Sequence, residues 1–151
     1  MLYKGEKTRF VIDQGKLVVH PAMPGLNIPG HADHGYEPLA VIAESFMAPD
    51  TWITMHEHVQ DEIISYVPDG VMRHDDRTTG KLLANPGQLM VMNAGRSFWR
   101  EERTFAGDAP VRMLQIFVRP HTLDLEPHIQ HGPLAAPEPN RWRYLVGPER
   151  T

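Results

Sequence analysis

The chain is 151 residues long, with 41% apolar and 23% charged residues, a formal net charge of −4 and no cysteine. That length suits one domain with a sizeable core, and an acidic balance without a basic block argues against a nucleic-acid surface built on phosphate neutralisation. The lack of cysteine excludes disulfides and thiolate ligands, so any metal must be held by His, Asp or Glu; nine histidines give material suited to Fe(II), Mn, Ni, Co or Zn.

The first ten residues, "MLYKGEKTRF", lack the apolar core of a signal peptide, and no apolar run approaches the roughly 20 residues that span a bilayer. The expected location is the cytoplasm, with no membrane contact. Short apolar runs then follow one another: "RFVIDQGKLVVH", "PLAVIAESFM", "TWITMHEH", "DEIISYV", "GVMRHDD", "QLMVMNAG" and "VRMLQIFVRP". Several alternate with a period near two and are rich in Val, Ile, Thr and aromatics, the mark of strands. Turn chemistry separates them, with "PDG" at 68–70, "TTGK" at 78–81, "NPG" at 85–87 and "AGD" at 106–108. No stretch sustains a helical apolar stripe over three turns. The pattern predicts an all-β fold, either a small barrel or a jelly roll. Residues 20–36, "HPAMPGLNIPGHADHGY", read as a long loop. Residues 1–120 form the expected barrel and 121–151 a Pro-rich linker ending in a short strand, "RWRYLVG".

The stretch "MHEHVQDEIISYV" at 55–67 carries the candidate chemistry. On a strand, side chains at i and i+2 share a face, so His56 and His58 project together and could chelate one ion. Glu62, four residues beyond His58, is within reach of the same ion if the strand bends. A polar strand face is the bland alternative. His31 and His34 read as loop residues that either lid the barrel mouth or hydrogen-bond the loop's backbone. His74, beside two aspartates, reads as part of a solvated hairpin, and His121, His128 and His131 as surface residues of the linker. Trp52, Phe98 and Trp99 read as core, with one of them available to line a pocket for a flat aromatic molecule. Met90, Met92 and Met113 read as adaptable core filling.

Several motifs, in order, resemble the pirin family of cupins. "GHADHGY" at 30–36 resembles its N-terminal element, and "MHEHVQDEIISYV" its first metal motif, His-Pro-His followed by Glu. "VMRHDD" at 71–76 resembles the next hairpin, "PGQLMVMNAGR" at 86–96 the strand leading to Ala-Gly-Arg/Thr, and "LQIFVRP" at 114–120 the closing strand. The resemblance implies a single-domain cupin jelly-roll β-barrel with the site in the barrel mouth, corresponding to the first of the family's two cupin halves. "LEPHIQ" at 125–130 resembles the linker into the second half, and a lone half implies a homodimer. It also implies a metal held by three histidines and a glutamate. Carried over, these are His56, His58 and Glu102, while the third histidine falls on Arg100 of "AGRSFWREE", which stays protonated and cannot ligate a cation.

Three readings stay open. The metal, expected to be Fe(II), is kept by His56, His58 and Glu102, with Glu62 adding an oxygen and Arg100 beside Glu102 or on an anionic substrate. Or the metal is gone and Arg100 pairs with Glu102 or Glu62. Or Arg100 points to solvent and His34 or His74 enters instead. The implied activity is a dioxygenase acting on a flavonol or other small aromatic molecule, with Glu102 or Glu62 as proton acceptor and Arg100, Trp99 and Phe98 contacting substrate. Its rivals are a metal-free cupin used for ligand sensing or protein contacts, and a metal-independent enzyme with His56 or His58 as base.

Overall fold

A computed structural model describes residues 11–24 and 38–147. Among these residues eleven strands appear and no helix. They are β1 (Ile12–Asp13), β2 (Leu17–Pro24), β3 (Leu39–Met47), β4 (Trp52–His58), β5 (Glu62–Asp69), β6 (Met72–Asp76), β7 (Lys81–Ala84), β8 (Gln88–Asn93), β9 (Phe98–Arg103), β10 (Val111–Val118) and β11 (His128–Pro133). Among the described residues there is accordingly no helix long and apolar enough to cross a membrane.

The strands form a seven-stranded sheet, ordered β1-β2-β3-β10-β5-β8-β11, facing a four-stranded sheet, ordered β4-β9-β6-β7. Neighbours pair antiparallel. This is a cupin-type jelly roll, all-β as the alternation predicts. The turns fall where the sequence places them: Gly70, Gly80 and Gly87 close the β5–β6, β6–β7 and β7–β8 connections, each with φ above +80°, a region that glycine enters without steric cost.

Strand alternation builds the core. In β5 the buried positions are Ile63, Ser65 and Val67, and in β9 they are Phe98, Arg100 and Glu102. Met47, Met72, Met90, Met92 and Met113 fill the space around Phe98, unbranched side chains suited to an irregular gap between curved sheets. Each such burial contributes about 1.5–3 kcal/mol.

Two expectations about the C-terminal segment are corrected. The segment read as linker contains β11, which pairs with β8 from His128↔Asn93 to Pro133↔Gln88. β8 would otherwise present a free row of N–H and C=O groups, and β11 covers it despite its Gly and Pro. The stretch 141–147, read as a strand, has no strand structure; Trp142 and Tyr144 are exposed there. Trp52, read as core, is 61% exposed, and its indole N–H donates to Glu101 Oε2 at 3.1 Å.

Candidate functional site

The site lies on the inner face of the smaller sheet. β4 and β9 pair Ile53 with Glu102, then shift register and pair His56 with Arg100 and His58 with Phe98. Between the two matched pairs β4 advances three residues and β9 two, so β4 carries a bulge at Thr54–Met55. A bulge re-aims the side chains that follow it. Here it brings Ile53 and His56, an odd number of residues apart, to the same cavity. The carbonyl of Thr54, inside the bulge, accepts from His56 Nδ1 at 2.8 Å.

That bond fixes the tautomer. With the proton on Nδ1, His56 keeps its lone pair on Nε2. His58 is held the same way, with Nδ1 donating to Asp61 Oδ2 at 3.0 Å. The two rings stand 5.0 Å apart. His58 Nε2 is buried and has no partner among the described residues. Both imidazoles line a cavity of about 360 Å³, large enough for a small ligand. Its walls are apolar, including Leu17, Val41, Ile53, Met113 and Phe117, and its polar groups are gathered around Arg100, Glu102 and Gln115.

Arg100 points into this space, 2% exposed. Its Nη1 lies 3.0 Å from Glu102 Oε1, a charge contact that falls off the line of a good hydrogen bond. Arg100 Nη1 and Nε find no hydrogen-bond acceptor among the described residues. Gln115 Nε2 donates to the same Glu102 oxygen and to Ser65 Oγ, both at 3.3 Å. Burial pushes His56 below the usual imidazole range; the Thr54 carbonyl opposes that, and the Arg100 charge reinforces it.

Sequence reasoning missed a second group. His74, expected on a solvated hairpin, is 1% exposed. It lies opposite Glu102 in the sheet, and Asp76 lies opposite Arg100. His74 Nε2 donates to Asp76 Oδ2 at 2.8 Å, and the ring stacks on Phe98. Asp76 Oδ1 accepts the backbone N–H groups of Thr78, Thr79 and Gly80, so this carboxylate also closes the β6–β7 turn. Burial lowers the His74 pKa, and the bond to Asp76 resists the shift. The alternation would have found it: Met72 faces the core, and His74 and Asp76 follow it at i+2 and i+4.

Other predicted site residues fall elsewhere. Glu62 is on the opposite face of β5 from Ile63 and Ser65 and is absent from the cavity lining, because one step along a strand reverses the side chain. Trp99 is likewise on the outer face of β9, under the Arg77 guanidinium at 4.6 Å. Phe98 faces inward but is fully buried among core side chains and does not line the cavity. The aromatic ring at the cavity is Phe117, 5.9 Å from His58. His31 and His34 lie outside the described residues.

A jelly roll with inward histidines on one sheet defines a cupin. The chain's family is narrower: the pirin family model matches residues 31–118, more than half of the chain, which therefore belongs to the pirin family. A Pasteurella multocida relative, provisionally named a quercetin 2,3-dioxygenase, is 28% identical over 142 residues, covering 87% of this chain and 60% of its own. A pirin-like protein of Caulobacter vibrioides is 31% identical over 111 residues, covering 60% of this chain and 47% of its own. The chain thus spans about half to three-fifths of these relatives' lengths. Among solved structures, Escherichia coli YhhW superposes with a TM-score of 0.78 at 22% identity, covering 85% of this chain and 55% of that one. A second YhhW structure, described as a complex with nickel(II), has a TM-score of 0.73 at 21% identity, covering 84% and 55%.

Whether a divalent ion suits this chain's own residues is decided at Arg100. The two histidines suit one, since each has Nδ1 anchored, which leaves the lone pair on Nε2, and His58 has the carboxylate behind it that orients metal-bound imidazoles. Glu102, however, is engaged by Arg100 and Gln115. Among the described residues no group of three or more His, Asp or Glu is placed to hold an ion. A guanidinium about 5 Å from a dication would cost roughly 7 kcal/mol at an effective dielectric near 20. As arranged, the residues do not fit a divalent metal.

Proposed function

We propose that this chain is a ligand-binding pirin-family barrel whose cavity takes a small, flat, hydroxylated aromatic molecule, of the kind suggested by the quercetin dioxygenase names of its relatives. One observation carries the reading: at one end of an apolar cavity His58 Nε2 and the Arg100 Nη1 and Nε groups have no hydrogen-bond partner among the described residues, and the His56 imidazole stands beside them. His56 and His58 each offer an Nε2 lone pair, and Arg100 offers N–H groups. A ligand with a hydroxyl beside a carbonyl satisfies both, donating to an imidazole and accepting from the guanidinium. Buried polar groups left without partners cost about 1–3 kcal/mol each, so such a ligand gains where a purely apolar one does not. Phe117 and the aliphatic wall would cover its ring. The test is a fluorescence titration with quercetin and with its analogue lacking the 3-hydroxyl. Micromolar binding of the first and at least about tenfold weaker binding of the second is the expected result; equal binding, or none, rejects the assignment.

His58 favours a second reading, metal-dependent dioxygenase chemistry with Fe(II) held by His56, His58 and Glu102. Its Nε2 is buried without a partner among the described residues and its Nδ1 is braced by Asp61. That reading requires Arg100 to leave the cavity, and quercetin consumption abolished by chelation and restored by iron would establish it. A homodimer remains the expected assembly, to be checked by sedimentation.

A further inference from the structure

The ion that does not fit leads to a statement about the residue that keeps it out. Arg100 and His56 are directly opposed on adjacent strands, so their Cβ atoms are about 4.5–5.5 Å apart. Glu102 follows Arg100 at i+2 on the same inner face. Around this point stand two imidazoles whose Nδ1 atoms are anchored, one carboxylate and one guanidinium, all lining one cavity. The guanidinium rests against the carboxylate at 3.0 Å. It thereby supplies the positive charge that balances Glu102, and it does so with a group that has no lone pair to give a metal ion. His74 offers no substitute here, since it is absent from the lining of this cavity and its Nε2 is bound to Asp76.

We propose that Arg100 is a built-in cation that closes this centre to divalent metals, and that replacing it with a neutral imidazole opens a metal site made of His56, His58, Glu102 and the new side chain. The inference concerns the same cavity as the proposed ligand but does not depend on which ligand binds, so the two can fail separately. The side chain introduced by Arg100→His would project from the row of His56 and two residues from Glu102, which loses the Arg100 guanidinium and keeps the Gln115 amide as its hydrogen-bond partner among the described residues.

The experiment uses the full chain without a histidine tag, with nickel(II) and zinc(II) chloride as probes. Calorimetric titration and elemental analysis after dialysis give affinity and stoichiometry. Wild type is expected to retain no stoichiometric ion. Arg100→His is expected to bind one ion per chain at least about 100-fold more tightly, to gain thermal stability in its presence, and to lose both effects when Glu102→Gln or His58→Gln is added. Arg100→Gln, uncharged and without imidazole, serves if the histidine variant folds poorly; it is expected to bind more tightly than wild type through His56, His58 and Glu102. One ion bound by wild type and lost in His58→Gln overturns the proposal, because Arg100 then does not close the site. Two folded variants that bind no better than wild type overturn it equally, since the charge would not be the barrier.

Discussion

Glu102→Gln isolates the buried charge pair. The substitution is nearly isosteric, so packing is kept and the carboxylate charge alone is lost. Arg100 and Glu102 side chains are 2% and 3% exposed, so bulk water screens the remaining charge little. Asp76, opposite Arg100 in the sheet, cannot take over the balancing role: one of its oxygens serves three backbone N–H groups of the hairpin and the other serves His74. Removing one partner of a buried pair costs about 3–5 kcal/mol. The glutamine oxygen can still accept, which puts the expected loss near about 3 kcal/mol, or roughly 6–12 °C in Tm for a chain of this size. Urea and thermal unfolding, followed by circular dichroism, give the number. Replacing both residues, Arg100→Met with Glu102→Leu, should recover most of it, because hydrophobic substitutes of similar volume match or exceed a buried pair. A loss below about 0.5 kcal/mol in Glu102→Gln, with an unchanged m-value, would refute the reasoning and mean that the guanidinium does not depend on Glu102.

Three further outcomes follow from the geometry. His56 and His74 both have folded-state pKa values below the usual 6.5, so the unfolded chain takes up protons that the folded one refuses. Stability should therefore hold above about pH 6.5 and fall as pH drops through that value, by at most about 1.4 kcal/mol per pH unit for each histidine; urea titrations from pH 7.5 to 5.5 check this, and His74→Gln should flatten the slope. Gly95 has φ of 50°, and a Cβ there would strike the Leu125 carbonyl, so Gly95→Ala should lose more than about 1 kcal/mol, measured by urea unfolding. Asp61→Ala removes the acceptor that orients His58 and should weaken quercetin binding about tenfold, near 1.4 kcal/mol, in a fluorescence titration of a variant with unchanged circular dichroism.

The strands were legible because two-residue alternation and turn residues agree along most of the chain. "PLAVIAESFM" became β3, "DEIISYV" β5 and "QLMVMNAG" β8, with the glycines of "PDG", "TTGK" and "NPG" at their turns. β11 was hidden because "HIQHGP" carries no strand signal of its own; its reason to be extended is the open edge of β8, some forty residues earlier in the chain. His74 was misread from its charged neighbours, although counting in twos from Met72 places it inside. Glu62 and Trp99 were misassigned by the same neglect, each being one step from a residue that faces the core.

The histidine pair shows what the i, i+2 rule can and cannot deliver. It says that His56 and His58 share a face, not which face. Counting in twos from Ile53, which lines the cavity, would bring Met55 inward and turn both histidines out; the bulge at Thr54–Met55 reverses this. Arg100 needs no such irregularity. It stands between Phe98, fully buried in the core, and Glu102, which faces Gln115. For the strand to turn its guanidinium out, β9 would have to flip by one residue, which would expose Phe98 and bury Trp99 and Glu101 in its place. The apolar core on one side and the acid on the other therefore fix the guanidinium in the cavity, and the chemistry of the site has to be built around its positive charge.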